Sequence, residues 1–174
     1  RIMTTPLRID GVDISHWQTG NLNFKAAKAA GVKWVYHKAT QDTDYRDPRY
    51  NERRKEVAKA GLPFGAYHFA EPRRGSAVRE AKHFLNYARP KPGDLAPVLD
   101  LEWNKTGMTR RELTEWVGEF VSYVHQQVGV KPIIYTAFDL DNTFGCLLWQ
   151  PRYNNRNEPP RVRTPWERYD IWQF

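Results

Sequence analysis

The chain has 174 residues, of which 40% are hydrophobic and seven are tryptophan. This length and composition indicate one folded globular domain over residues 1–174, and they exclude a disordered tail. The formal net charge of +7 favours polyanionic partners, but basic and acidic residues alternate in segments such as NERRKEVAKA, which is typical of a solvated helix face. No basic run is interleaved with stacking aromatic residues, so we expect no nucleic-acid partner.

Simple counts exclude two further classes of protein. The single cysteine, Cys146, cannot form a disulfide within the chain, which excludes a disulfide scaffold and fits folding in a reducing cytoplasm. No run approaches the roughly 20 apolar residues that cross a bilayer, and the first residues hold no apolar core of a secretion signal. We therefore expect synthesis in a cytoplasm and no membrane insertion, and we expect a monomer.

Strand and helix patterns alternate along most of the chain. In chain order the sequence predicts a strand at 11–15, a helix at 22–30, a strand at 32–39, a helix at 49–60, a strand at 63–70, a helix at about 76–88, a strand at 95–101, a helix from 109 to about 128 and a strand at 132–136. Thr109 with Glu112 three residues later has the pattern of a capping box. Beyond residue 136 the pattern weakens, and 146–149 and 169–174 are candidate strands joined by a loop at 150–165.

Alternation of this kind indicates the α/β class with a mostly parallel sheet, either a barrel or a doubly wound sheet. No glycine-rich phosphate loop follows the first strand, which counts against a nucleotide-binding doubly wound sheet. A full eightfold barrel typically needs ~250 residues. We therefore predict a compact, irregular (β/α) barrel that is like a TIM barrel.

The most informative acids lie at the ends of two predicted strands. Asp100 and Glu102 end a nearly all-apolar strand, two residues apart, so their side chains share one face. The carboxyl ends of parallel strands line the active site in such folds, and Asp13 would reach the same rim from the first strand. Repulsion among three acids raises the pKa of the least solvated one, and a raised glutamate pKa suits a general acid. The spacing fits equally well a structural role in capping the next loop or pairing with arginine.

Aromatic residues in or just after the predicted strands would surround these acids. They are Trp17, Tyr36, Tyr67, Phe69, Trp103, Tyr135 and Trp172. Flat aromatic faces suit sugar rings, although core packing explains any single one of them equally well. The histidines have no metal-binding spacing, and His68 is predicted to be a hydrogen-bonded wall residue; no G-x-S-x-G pattern indicates a serine nucleophile. We expect no metal and no other cofactor.

Six segments of the chain resemble the Chalaropsis-type N-acetylmuramidases, glycoside hydrolase family 25. They are GVDISHWQ, VKWVYHKAT, DPRYNERRKEVAKAGLPFGAYHFAEP, LAPVLDLEWN, KPIIYT and YDIWQF, in the order of the family. The resemblance implies a flattened, irregular β/α barrel that hydrolyses the β-1,4 bond between N-acetylmuramic acid and N-acetylglucosamine in bacterial peptidoglycan. It also implies the catalytic domain of a phage endolysin, made in the host cytoplasm and acting on the cell wall, with a secreted autolysin as the alternative.

The resemblance further implies roles for individual residues. Glu102 matches the general acid, Asp100 the acid that orients the substrate's N-acetyl group as that group attacks the anomeric carbon, and Asp13 the acid on the first strand. The residues predicted to bind the sugar are Tyr67, Phe69, Trp103, Tyr135, Trp172 and Gln41. A substrate-assisted route of this kind is a recognised exception to the two-carboxylate scheme, so carboxylate spacing predicts no covalent enzyme intermediate.

Two departures from the family leave alternatives open. Gln41 stands where the family often has glutamate, and an amide can hydrogen-bond a sugar but cannot supply charge. The family usually continues past the WQ segment to a further acid and a final strand, so we expect a truncated or replaced end with an exposed sheet edge. One alternative is therefore a catalytically weak peptidoglycan-binding domain of the same fold, which the intact acid pair opposes. Another, a chitinase-like barrel, would need acids where Ala96, Pro97 and Val98 stand.

Overall fold

The computed structural model describes residues 9–153 and 159–174, which fold around one curled sheet. The strands are β1 (Val12–Ile14), β2 (Val35–Gln41), β3 (Tyr45–Arg46), β4 (Phe64–Phe69), β5 (Val98–Leu101), β6 (Ile133–Thr136), β7 (Leu148–Pro151) and β8 (Ile171–Gln173). The helices are α1 (Phe24–Ala29), α2 (Tyr50–Lys59), α3 (Ala77–Ala88) and α4 (Arg110–Val128). Within the described ranges the order β1-β2-β4-β5-β6-β7-β8 is parallel throughout, and β3 pairs antiparallel with β2.

The predicted α/β class, the mostly parallel sheet and the compact barrel-like architecture are confirmed. Each element predicted before residue 136 forms within about three residues of its predicted bounds, and the two candidate strands beyond it become β7 and β8. The two-residue strand β3 was not predicted, because so short a segment carries no periodicity. Residues 154–158 of the predicted loop lie outside the described residues, as do residues 1–8.

Local signals determine the ends of the longest helix, α4. The Glu112 amide donates to Thr109 Oγ1 at 3.3 Å, and the Thr109 amide donates to Glu112 Oε2 at 2.8 Å, so the predicted capping box is present. At the other end Gly129 has φ 74°, the left-handed conformation that glycine adopts without steric cost. Capping at both ends positions the helix whose buried face covers the sheet.

The two faces of the sheet bury different sets of side chains, because neighbouring residues of a strand point to opposite faces. On β5, Leu99 and Leu101 belong to the large core between sheet and helices, whereas Val98 belongs to a second cluster on the other face. The buried members of that second cluster are Tyr36, Val98, Ile133, Tyr135 and Trp149. We call this side the inner face, and it carries the candidate site.

A group of polar side chains around His68 is hydrogen-bonded behind the sheet. His68 Nε2 lies 3.0 Å from Glu80 Oε2 and its Nδ1 lies 2.8 Å from Thr40 Oγ1, while Ser76 Oγ donates to Glu80 Oε1 at 2.8 Å. Burial lowers the pKa of His68, which keeps the ring neutral near pH 7. His68 is therefore the hydrogen-bonded wall residue that the sequence predicts.

Cys146 is buried, and burial raises the pKa of its thiol to about 11, so the sulfur stays protonated at neutral pH.

Among residues 9–153 and 159–174, no helix has the length and apolar character that spanning a membrane requires.

Replacing Thr109 with alanine removes the side-chain acceptor of the capping box. We expect this to lower the free energy of unfolding by about 1 kcal/mol, measured by urea denaturation followed by circular dichroism. Thr109→Ser is the matched control because serine keeps the acceptor oxygen. Equal losses in the two variants would contradict the role of the cap.

Candidate active site

The carboxyl ends of the parallel strands surround a cavity of about 270 Å³, called here the acid cavity. It is lined by Asp13, Ser15, Trp17, Lys38, Tyr67, Phe69, Val98, Asp100, Glu102, Tyr135, Trp149, Tyr153 and Gln173. A second cavity of about 560 Å³, the outer cavity, shares Trp17, Lys38 and Phe69 with it. Its other lining residues are His16, Gln41, Asp42, Asp44, Tyr45, Glu71 and Trp103. The two cavities together form one continuous groove along the inner face.

Strand alternation explains how distant parts of the chain reach this groove. In β5 the inner-face position of Val98 recurs at Asp100 and then at Glu102, just past the strand end. Asp100 pairs in register with Phe69 of β4 and with Tyr135 of β6, which puts all three at one level of the sheet. The strands therefore bring the acid pair into contact with aromatic walls on both sides.

Most of the residues predicted from the sequence meet in the groove. The three acids Asp13, Asp100 and Glu102 line the acid cavity, together with the predicted wall residues Tyr67, Phe69 and Tyr135. Gln41 and Trp103 line the outer cavity. Trp17, named in the sequence only as one of the rim aromatics, is 75% exposed and borders both cavities.

Trp172 is the predicted sugar-binding residue that the structure does not bring to the groove. Its ring packs against Phe174, with centroids 5.4 Å apart, and its Nε1 donates to the Arg152 carbonyl at 3.3 Å. The next residue, Gln173, lines the acid cavity instead, because adjacent residues of β8 point to opposite faces. Tyr36 also lies away from the lining, beneath the site, where its hydroxyl donates to the Ala96 carbonyl at 2.9 Å.

Several residues of the acid cavity were not identified from the sequence. They are Ser15, Lys38, Trp149, Tyr153 and Gln173. Ser15 and Lys38 each follow by two residues a position already on the inner face, Asp13 and Tyr36, so extending the alternation would have found them. The segments around Trp149 and Gln173 are too weakly patterned to show which face each residue occupies.

Asp100 is the most deeply buried acid of the site, with 8% of its surface exposed. Burial raises the pKa of Asp100 well above its ordinary value of 3.8, and the negative charge of Glu102 and a hydrogen bond shared with it raise the pKa further. The positive charge of Lys38 opposes these effects. Asp100 Oδ1 is buried without a hydrogen-bond partner in the described structure.

Glu102 is the second acid whose pKa lies above the ordinary value. Burial is the largest cause and the charge of Asp13 adds to it, whereas the hydrogen bond with Asp100 and the charge of Lys38 lower the pKa. The repulsion argument predicted the strongest effect at the least solvated acid, and that acid is Asp100 rather than the glutamate. The two carboxyl groups therefore titrate as a coupled pair, in which burial favours the protonated form of Asp100.

Lys38 places a positive charge among these acids. Its Nζ lies 4.7 Å from the centre of the Phe69 ring and donates to Gln41 Oε1. Burial lowers the pKa of Lys38, and the charges of Asp100, Asp47, Glu71 and Glu102 raise it. The lysine thus compensates part of the negative charge that the strand ends concentrate.

Gln41, which replaces the expected glutamate, occupies a defined hydrogen-bonding position. Its Nε2 donates to Glu71 Oε1 at 2.6 Å while its Oε1 accepts from Lys38. Glu71 in turn lies 3.9 Å from Lys105 Nζ, which sits 3.5 Å above the Trp103 ring. The amide therefore connects the cation of the acid cavity to an acid of the outer cavity.

Replacing Asp100 with asparagine should change how stability depends on pH. A carboxyl whose pKa is raised on folding contributes stability that is present below its unfolded pKa and lost as pH rises through the folded pKa. The free energy of unfolding of the wild-type protein therefore falls by about 1.4 kcal/mol for each pH unit between the unfolded and the folded pKa of Asp100. Asp100→Asn lacks this carboxyl group and does not show this fall. Urea denaturation at pH 4, 5.5 and 7 should show the variant gaining relative to wild type as pH rises. The exposed Glu119→Gln is the control, and a constant difference across pH for Asp100→Asn would contradict the pKa assignment.

Comparison with known proteins connects this geometry to a family. A model of the glycosyl hydrolases family 25 matches residues 12–174. Lysozyme M1 of Streptomyces globisporus is 32% identical over 143 residues, covering 78% of this chain and 48% of the relative, so the chain spans about half of its length. The N,O-diacetylmuramidase of Chalaropsis sp is 31% identical over 186 residues, covering 95% of this chain and 87% of the relative.

A solved structure gives the same result for the fold. The muramidase from Acremonium alcalophilum matches with a TM-score of 0.88 and 30% identity, covering 96% of this chain and 87% of that one. The resemblance inferred from the six sequence segments is confirmed by these matches. The chain belongs to the glycosyl hydrolases family 25.

Proposed function

We propose that the protein is a muramidase, which hydrolyses the β-1,4 bond between N-acetylmuramic acid and N-acetylglucosamine in peptidoglycan. The observation that carries this proposal is the adjacent pair of buried Asp100 and more exposed Glu102 in an aromatic groove, both with raised pKa values and with Asp100 Oδ1 lacking a partner. A glycosidic oxygen needs a proton to leave, and an N-acetyl group needs an acceptor for its N–H. The pair can supply both.

Glu102 is the general acid of the proposed reaction. As the bond between the anomeric carbon and the bridging oxygen breaks, the oxygen takes the bond's electron pair and the Glu102 proton. The carbonyl oxygen of the N-acetyl group attacks the anomeric carbon at the same time and closes a positively charged five-membered ring. Water then attacks that carbon, gives its proton to the Glu102 carboxylate and reopens the ring, which restores both the substrate's acetamide and the acid.

Asp100 stabilises the N–H of the substrate's acetamido group in this scheme. When that N–H donates to Asp100 Oδ1, the hydrogen bond favours the charged form of Asp100 and lowers its pKa. The Asp100 proton then moves to Glu102, where the leaving oxygen needs it. Substrate binding thus converts a resting state, in which Asp100 holds the proton, into the reactive state.

Asp13 and the aromatic residues complete the proposed site. The Asp13 carboxylate supplies negative charge near the positive charge that develops at the anomeric carbon. The cleaved bond is surrounded by Tyr67, Phe69 and Tyr135. The neighbouring sugars stack on Trp17 and Trp103. Gln41 binds a sugar polar group as a neutral partner in the outer cavity.

The second candidate is a catalytically weak peptidoglycan-binding domain. Its support is that Gln41 is neutral and already engaged with Glu71 and Lys38. Against it stands the raised pKa of Glu102, since a binding surface has no need for a carboxyl group with raised proton affinity. We also propose, from the sequence resemblance, that the catalytic domain belongs to a phage endolysin that acts on the wall, with a secreted autolysin as the alternative.

Glu102→Gln removes the proton donor and keeps the side-chain shape. We expect a loss of 10²- to 10⁴-fold or more in the release of reducing ends from purified peptidoglycan, the range of a single general acid–base group. Binding of the variant to peptidoglycan in a pull-down should stay close to wild type. Glu119→Gln is the control for an exposed glutamate. The proposal is wrong if wild type binds but releases no reducing ends, a result that would favour the binding domain.

Trp17→Ala tests the role of the groove's rim. Because this side chain is 75% exposed, its removal should leave thermal stability unchanged. The loss of about 0.5–1.5 kcal/mol of stacking with the sugar should raise KM roughly 2- to 12-fold, with kcat nearly constant. Leu147→Ala, at another exposed apolar residue, is the control. An unchanged KM for Trp17→Ala, measured with soluble glycan fragments, would place sugar binding elsewhere.

A further inference from the structure

The first and last strands of the sheet meet through one side chain. In the described part of the chain β1 pairs only with β2, and β8 pairs only with β7, so no backbone ladder joins β1 to β8. Gln173 of β8 bridges this opening, because its Nε2 donates to both carboxylate oxygens of Asp13 on β1, each at 2.8 Å. The contact links residues 160 positions apart in the sequence.

The other end of the Gln173 amide is also engaged. Its Oε1 accepts from the Tyr135 hydroxyl at 2.5 Å and from the Tyr153 hydroxyl. An amide nitrogen only donates and an amide oxygen only accepts, while an ionised carboxylate only accepts. Turning the amide over would set Oε1 against the Asp13 carboxylate and Nε2 against the two hydroxyls. The contacts therefore allow one orientation of the amide.

This orientation determines what the neighbouring groups can offer to a ligand. The Tyr135 and Tyr153 hydroxyls also hydrogen-bond to each other, so their two protons are used within the group that they form with Gln173, and lone pairs remain to accept from a ligand. The two N–H···O contacts favour the charged form of Asp13, which also accepts and does not donate. Gln173 thus makes one side of the acid cavity a set of hydrogen-bond acceptors.

We propose that Gln173 is a positioning residue that holds Asp13 as a carboxylate and orients two tyrosine hydroxyls to accept hydrogen bonds from the substrate. The part concerning substrate rests on the proposed muramidase function. The part concerning Asp13 stands on the hydrogen-bond geometry. Gln173 acts through these three residues and does not itself exchange a proton with the sugar.

The ionisation of Asp13 depends on every charged or titratable group around the cavity. Those facing it are Asp100 and Glu102 at the end of β5, Lys38 on β2, Tyr67 on β4, Tyr135 on β6, and Tyr153 just after β7. Burial raises the pKa of Asp13, and the Gln173 hydrogen bond is the largest effect that lowers it. Removing the amide should therefore raise the pKa of Asp13.

The test compares Gln173→Leu and Gln173→Glu with wild type. The leucine variant loses both the donor and the acceptor, whereas the glutamate variant keeps an acceptor for the tyrosines and adds a negative charge beside Asp13. The pKa of the Asp13 carboxyl is measured by ¹³C NMR, and the pH profile of kcat/KM is recorded on peptidoglycan fragments. Gln126→Glu, the same change at an exposed position of α4, is the control.

We expect Gln173→Leu to raise the pKa of Asp13 by about one pH unit and to move the acidic limb of the kcat/KM profile to higher pH by the same amount. Gln173→Glu should move both by more. Gln126→Glu should change neither. An Asp13 pKa that is unchanged in both Gln173 variants overturns the inference. Lower thermal stability with an equal loss of activity at every pH would also overturn it, since a purely structural residue behaves in that way. If wild type cleaves no peptidoglycan, the proposed function fails, and the NMR titration still decides the role of Gln173.

Discussion

The site depends on one carboxyl group, that of Asp100, which is kept away from water. An ionised carboxylate costs several kcal/mol to bury unless it is paired or takes up a proton. Asp100 is buried and has Glu102 beside it, so its pKa is raised and its protonated form is favoured, and the positive charge of Lys38 opposes this effect. The low solvation that makes this residue costly for folding is the property that keeps a proton available in the groove.

The curled parallel sheet makes this burial possible because its two faces bury different sets of side chains. The outer face packs residues such as Leu99 and Leu101 against the helices and forms the large core. The inner face supplies a floor of aromatic side chains, in which Trp149 contacts both Tyr36 and Tyr135. The floor excludes water from beneath the acids, while the strand ends above it leave the groove open to a ligand.

Neutral amides join the charged groups of the groove at two points. Gln41 donates to Glu71 and accepts from Lys38, whereas a glutamate at this position would set two carboxylates at hydrogen-bonding distance. The neutral amide at position 41 avoids that repulsion. Gln173 acts comparably between Asp13 and two tyrosines. In each case an amide satisfies a donor and an acceptor together, which neither a carboxylate nor an ammonium group can do.

The sequence by itself determined the order of strands and helices, the capping box of α4 and the meeting of Asp13, Asp100 and Glu102, because periodicity, caps and strand ends are local properties. Only the tertiary structure decided that Gln173, rather than Trp172, enters the acid cavity. A three-residue strand carries too little pattern to show its inward face, and pairing with β7 decides it. The degree of burial was also a tertiary property, since segments distant in the sequence make Asp100 less exposed than Glu102.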